Sequence, residues 1–179
     1  MKIGLVRHFE VQLGYPKGRV NAEGLRNWAS EYDVSEVITR DVQISDGEWG
    51  NCFSSDLYRA QVTAESIYQR EITYLEDLRE IPVAPCLPSK WKLPLSFHLV
   101  AGRIAWYVNH KSQPETRTSV IKRLNQFLDR VIENGDNTLV VSHGGIIIFL
   151  RRELLRRGFK GPKISRPENG KLYVFERQK

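Results

Sequence analysis

Apolar positions along the chain alternate between two kinds of pattern. Short continuous runs, Ile3-Gly4-Leu5-Val6, Asn51-Cys52-Phe53-Ser54-Ser55 and Thr138-Leu139-Val140-Val141, have the length and composition of buried strands. Between them, apolar residues recur at the spacing of one helix face. Leu25, Trp28, Ala29 and Tyr32 form such a stripe behind Asn21, and Leu57, Ala60, Ala64 and Ile67 another behind Asp56, with Asn21 and Asp56 predicted as N-caps. Ile72 to Leu78 reads as a third strand despite its Glu and Asp residues. Two helices then follow with no strand between them. Phe97, Val100, Ala101, Ile104 and Val108 mark the first, and Val120, Leu124, Phe127, Leu128, Val131 and Ile132 mark the second, which stops at Asn134-Gly135. From Gly144, the positions Ile147, Leu150 and Leu154 begin a last long helix, and Lys171 to Glu176 closes the sheet after the turn at Asn169-Gly170. Strands alternating with helices predict an α/β fold: a mostly parallel central sheet with helices on both faces.

Composition narrows this picture. With 179 residues, 41% hydrophobic and 27% charged, the chain suits one core rather than two, and residues 1–179 are expected to form a single domain. No internal repeat, low-complexity tract or membrane-length apolar run interrupts it. The start, Met1-Lys2-Ile3-Gly4-Leu5-Val6, reads directly into a strand and lacks the features of an export signal. Cys52 and Cys86 lie in different segments and form no Cys-x-x-Cys pair, which fits a reducing cytoplasm and supports neither a disulfide framework nor a zinc site. The net charge of +6 is compatible with nucleic acid, an acidic membrane surface or a small anion. Its one cluster, Arg151, Arg152, Arg156, Arg157, Lys160 and Lys163, reads as a solvated helix face, with a polyanion-binding patch as the alternative. No recognisable nucleic-acid or membrane motif accompanies it.

In a parallel α/β sheet, ligands sit beyond the carboxyl ends of the strands. Those positions hold Arg7-His8, Asp56 followed by Arg59, and Ser142-His143-Gly144-Gly145. Two arginines offer planar charged forks that match phosphate oxygens, and two histidines titrate near neutrality. A helix opening at Gly144 adds backbone N–H groups and the positive end of its dipole. A neutral imidazole with one nitrogen held by a backbone carbonyl can attack phosphorus, which makes His8 the candidate nucleophile. The leaving oxygen then needs an acid; Glu80 is the first candidate and Glu76 the reserve. Taken singly, each of these residues also has an ordinary structural reading, and it is their joint placement that points to phosphate. No Gly-x-x-x-x-Gly-Lys loop, Gly-x-Ser-x-Gly elbow or His-Glu-x-x-His helix is present.

These blocks, in this order, resemble the histidine phosphatase superfamily, the phosphoglycerate-mutase-like enzymes. Leu5-Val6-Arg7-His8-Phe9-Glu10 is similar to its Arg-His-Gly signature, Asn21-Ala22-Glu23-Gly24-Leu25 to the helix that follows, and Ser54-Ser55-Asp56-Leu57-Tyr58-Arg59-Ala60-Gln61-Val62-Thr63-Ala64 to its second motif. Leu78-Arg79-Glu80 resembles the acid-bearing segment, and Glu115-Thr116, Val140-Val141-Ser142-His143-Gly144-Gly145 and Asn169-Gly170 complete the series. The resemblance implies a phosphoglycerate-mutase-like three-layer sandwich. It also implies transient phosphorylation of His8, phosphoryl oxygens held by Arg7, Arg59 and His143, proton donation by Glu80, and release by water without metal or organic cofactor.

The chain departs from that pattern at Phe9, where the family usually has glycine. It departs again at Val11 and Gly14, where many members carry a hydroxyl residue and an asparagine, which implies one or two fewer phosphate contacts. Ile81-Pro82-Val83-Ala84-Pro85 replaces a Gly-x-Trp-Glu-Gly pattern of the mutase branch. Residues from about 85 to 115 resemble the family's cap insertion, with Lys90, Trp91 and Lys92 as candidate contacts to an organic anion, while His98 and His110 match no motif and read as structural or surface residues. The expected function is a phosphomonoesterase acting on a small phosphorylated metabolite. A phosphoglycerate mutase, a protein phosphohistidine phosphatase and a non-catalytic phosphate-binding module remain open.

Overall fold

The computed structural model describes residues 1–42, 44 and 46–178, with the backbone alone of residue 46. In chain order the elements are β1 (Lys2–Arg7), β2 (Glu10–Val11), β3 (Arg19–Val20), α1 (Ala22–Val34), β4 (Val37–Ile38), β5 (Asn51–Ser55), α2 (Tyr58–Ile67) and β6 (Ile72–Leu75). They continue with β7 (Leu93–Pro94), α3 (Leu95–Tyr107), α4 (Arg117–Asn134), β8 (Thr138–Ser142), α5 (Gly144–Arg156) and β9 (Leu172–Glu176).

The central sheet has the order β6-β5-β8-β1-β9. All its pairings are parallel except β9 against β1. Arg7 lies beside Ser142, and Ser54 beside Val141, so the carboxyl ends of β1, β5 and β8 meet at one edge. Alternation along each strand then divides the core in two. Ile3, Leu5 and Val140 pack with α4 (Val120, Leu124, Phe127) and α5 (Ile147, Leu150, Leu154). Val6, Leu139 and Val141 face the other way onto Ala60, Ala64 and Ile67 of α2. The result is three layers. Gly4 belongs to the second face, where a Cβ would lie 2.7 Å from the buried Trp49 indole, so the missing side chain makes room for the largest one.

Helix α4 follows its sequence pattern closely. Thr116 caps it by accepting the Ser119 N–H at 3.1 Å, the predicted stripe is buried from Val120 to Val131 with Ile132 half-buried, and Gly135 ends it at φ 81°, a left-handed conformation that suits glycine. Asn21 likewise caps α1 through the Gly24 N–H.

Four expectations are corrected. Asp56 is no cap: α2 begins after Leu57, and the Asp56 carboxylate instead takes a forked pair of hydrogen bonds from the Arg79 guanidinium. The third strand ends at Leu75, because residues 76–78 turn into a single 3-10 turn. The α3 stripe points outward: Phe97, Val100, Ile104 and Val108 are exposed, whereas Leu95, His98, Gly102, Ala105 and Trp106 are buried. This helix is apolar nearly all round, so periodicity could not choose its inner face. The small residues did, since a Cβ at Gly102 would stand 2.4 Å from Val83. Finally, Trp28, Ala29 and Tyr32 on α1 are only half-buried and line a cavity, with Tyr32 also packing against the edge of the core.

Among the basic residues after Gly144, Arg152 and Arg156 flank the buried Glu153 at 3.3 and 2.7 Å, and Arg157 pairs with Asp129 at 2.5 Å. That cluster is partly neutralised by its own helix and its neighbour. Among the described residues, no helix is long and apolar enough to cross a membrane.

Candidate active site

His8 follows the last residue of β1 and is held on three sides. Its N–H donates to the Ser142 carbonyl at 2.9 Å, its carbonyl accepts from the Asn169 amide at 2.7 Å, and its Nδ1 lies 2.6 Å from the Phe9 carbonyl. A carbonyl can only accept, so Nδ1 carries the ring proton and Nε2 keeps a lone pair. Burial, together with the positive charge of Arg59 and Arg7, lowers the pKa to about 3, against the upward pull of the carbonyl bond. The ring is neutral across the physiological range, the state a nucleophile requires.

His143 follows β8 in the same way and its ring lies 5.0 Å from that of His8, centroid to centroid. Its Nε2 is 2.9 Å from the Ser55 hydroxyl, which already accepts the Leu57 N–H at 3.3 Å. Donation of the Ser55 proton to Nε2 satisfies both groups and puts the proton of the neutral ring on Nδ1. Burial first, then His8, Arg59 and Arg7, push its pKa well below the usual histidine range. Nδ1 has no partner.

The arginines show the same incompleteness. Arg7 donates to the Pro167 carbonyl at 2.9 Å, and Arg59, in the first turn of α2, donates to Asp33 at 2.7 Å while its guanidinium rests over the Tyr32 ring at 5.2 Å. Both Nε atoms are buried and unpartnered. Thr63 ties the two motifs together by accepting the Phe9 N–H and donating to the Arg59 carbonyl. Three neighbouring buried donors, on Arg7, Arg59 and His143, thus lack acceptors. Each such group costs on the order of 1–3 kcal/mol unless something supplies the missing bond.

Glu80 reaches the site by a different route. Its carboxylate accepts the N–H of Gly145 at 3.0 Å and of Ile81 at 2.9 Å, which pins it at the start of α5. A Cβ on Gly145 would be 2.5 Å from a Glu80 oxygen, so only glycine leaves it this seat. At the start of α5 the Gly145 amide thus serves Glu80, while Gly144 sits against the Arg7 guanidinium, its absent Cβ 3.5 Å from Nε. Glu76 is exposed and paired with Arg79 at 3.1 Å.

The first-motif departures point away from this site. The Phe9 ring is fully buried in the α2-side core and lies against Gly170, which has φ 72°. Val11 is buried in the same cluster, and Gly14 is exposed. Ser55, Thr63, Asn169 and Asp33 were not assigned roles from sequence; the first three stand inside or beside motifs, but Asp33 carried no signal.

A cavity of about 670 Å³ opens at Arg59 and Glu80. Leu25, Trp28, Tyr32 and Asp33 of α1 form one wall, and residues 76–83 with Leu99, Glu115 and Arg123 form the rest. Lys90, Trp91 and Lys92 are exposed and take no part in the lining, which corrects their candidacy as anion contacts. His98 is buried and bonded to the Val20 carbonyl at 2.9 Å, and His110 is exposed beside Ser112. Among the described residues, no group of three or more His, Cys, Asp or Glu side chains could hold a metal ion.

A mostly parallel α/β sheet thus gathers a neutral histidine, a second histidine and two arginines at its carboxyl edge, an arrangement suited to a phosphoryl group. A family model for the histidine phosphatase superfamily (branch 1) matches residues 15–179, and the chain belongs to that superfamily. The match begins downstream of Arg7-His8, past the departures at Phe9, Val11 and Gly14. No curated protein matches the sequence. Solved structures that share the fold include an α-ribazole phosphatase from Shigella flexneri, 21% identical, with 97% of this chain and 89% of that one covered at a TM-score of 0.58. A phosphoserine phosphatase from Entamoeba histolytica in complex with 3-phosphoglyceric acid is 21% identical over 97% and 89%, with a TM-score of 0.53. A mycobacterial glucosyl-3-phosphoglycerate phosphatase is 18% identical over 97% and 88%, with a TM-score of 0.57. The enzyme class is that of a phosphatase.

Proposed function

We propose that the protein is a phosphomonoesterase of the cytoplasm that hydrolyses a small phosphorylated metabolite through a phosphohistidine at His8, with no metal or organic cofactor. The observation that carries this reading is the set of three unsatisfied buried donors around a neutral, carbonyl-oriented imidazole. A phosphoryl group supplies acceptors to Arg7 Nε, Arg59 Nε and His143 Nδ1 together, while the Gly144 amide and the dipole of α5 add positive potential.

In the first step Nε2 of His8 attacks phosphorus and the ester oxygen leaves with its bonding electrons. Glu80 gives that oxygen a proton, entering the reaction as the carboxylic acid. The cationic charge of Arg7 and Arg59 and the His143 proton favour the transition state because the negative charge on the equatorial oxygens stays within their reach. In the second step water attacks the phosphohistidine, Glu80 takes its proton, and phosphate departs with His8 restored as a neutral base. Residues 85–115 act as a small cap within a single domain. Glu80 is favoured over Glu76 because Glu76 is exposed and paired with Arg79.

The test is hydrolysis of a generic aryl phosphate with excess chelator, by wild type and by His8→Ala. Metal-independent turnover lost in the variant supports the reading; equal turnover in the two proteins refutes it. The unsatisfied donor set also suits a non-catalytic phosphate-binding module, which tight phosphate binding without any hydrolysis would identify.

A further inference from the structure

The cavity beyond Arg59 has a character that the phosphate end does not explain. Its α1 wall carries Trp28 and Tyr32, backed by the exposed Tyr15, which is not part of the lining. Tyr15 stacks on Trp28 with centroids 5.6 Å apart, Trp28 tilts against Tyr32 at 5.1 Å, and Tyr32 lies beneath the Arg59 guanidinium. The indole is fixed by its N–H bond to the Gly14 carbonyl at 3.1 Å. Trp28 and Tyr32 are half-buried, so each still presents part of its ring to the cavity, and Ile81, Pro82, Val83 and Leu99 supply further apolar lining.

The charges in the same cavity are arranged against a second anion. Arg123 is forked onto Glu115 at 2.8 and 3.1 Å and also donates to the carbonyls of Asp77 and Arg79. Arg79 is committed to Asp56 and Glu76. Arg59 is paired as well, with Asp33 at 2.7 Å, but its buried Nε has no partner and is the nitrogen the phosphoryl group would claim. Asp33, Glu76, Asp77 and Glu115 face the remainder. A carboxylate or second phosphate on the alcohol portion would meet acidic neighbours with no uncommitted partner, an unfavourable burial of charge.

Resting on the phosphatase reading above, we propose that this cavity selects phosphomonoesters whose alcohol portion is a flat apolar or aromatic group without a second acidic group, with the ring lying against Trp28 and Tyr32. Preformed aromatic walls lower the ordering cost of a rigid ring, and the ring's quadrupole suits offset or tilted contact with the indole.

Calorimetric titration of the full chain with methylphosphonate, benzylphosphonate and 3-phosphonopropionate reads binding without turnover. Benzylphosphonate is expected to bind more tightly than methylphosphonate by on the order of tenfold, and 3-phosphonopropionate more weakly than either. Trp28→Leu should collapse the benzyl-to-methyl ratio to within about threefold, and Trp28→Phe, which keeps a ring, should restore most of it. Equal binding of the benzyl and methyl ligands, or tighter binding of the carboxylate, overturns the selectivity while leaving the phosphate site standing. Failure of all three to bind removes the phosphate site itself, and the selectivity with it.

Discussion

The two ends of the active site are built on opposite plans. At the phosphate end, strands β1, β5 and β8 deliver Arg7, His8, Ser55 and His143 from a buried sheet, and Arg7 and His143, though fixed by neighbours, each keep a buried nitrogen without an acceptor. At the cavity end, helix α1 and residues 76–83 supply aromatic and apolar surface whose cations are already paired. On the proposed reading the contrast separates chemistry from selectivity: charge is kept where phosphorus would react and cancelled where the alcohol would rest.

Variants can break that comparison, in order of expected effect. His8→Ala should lower kcat by roughly 10⁴-fold or more on every ester, since no other described group replaces the nucleophile; stopped assays at saturating substrate measure it. Glu80→Gln should cost about 10²–10³-fold on alkyl phosphates and far less on nitrophenyl phosphate, whose leaving oxygen needs no proton. Gly145→Ala should reproduce that leaving-group dependence, because its Cβ takes the Glu80 seat. A uniform loss across leaving groups would show that Glu80 is not the donor. On the cavity side, Asp33→Asn should narrow the discrimination between neutral and carboxylate-bearing esters by roughly threefold in KM, read as the ratio because Asp33 also holds Arg59.

The histidines also couple the site to stability. The folded pKa of His8, about 3, lies below its ordinary value of 6.5, so between these values the unfolded chain binds the extra proton. The contribution of neutral His8 is full above about pH 6.5 and is lost as pH falls toward about 3. Thermal melts of His8→Gln should therefore lose less stability on acidification than wild type over that window; parallel curves would contradict the assignment. The smallest effect is structural: Gly135→Ala at φ 81° should destabilise by about 1 kcal/mol in denaturant titrations without touching kcat.

The same division explains how much could be read from sequence. Residues at strand ends announce themselves because a buried strand is a continuous apolar run and whatever polar residue follows it must lie at the sheet edge; His8 and His143 were legible this way, and α4 was legible because one face alone is apolar. The α1 stripe gave the helix correctly but not its use, since a cavity wall and a core face carry the same periodicity. In α3 both faces are apolar, so only the close approach at Gly102 to Val83 reveals the inner one. Asp33 was silent because its partner, Arg59, is 26 residues away and an isolated acid in a last helical turn has no pattern. The bond from the Gly145 amide to Glu80 was not legible because a helix N-terminus suits a carboxylate as well as a phosphate.

The central claim is that His8 itself carries the phosphoryl group. Wild-type protein mixed with an excess of an aryl phosphate, quenched in alkali within the first turnovers and weighed intact, should show one added phosphoryl group that acid removes and that His8→Ala never acquires. Full turnover by the wild type with no such adduct at any quench time, or an equal adduct in His8→Ala, would contradict it.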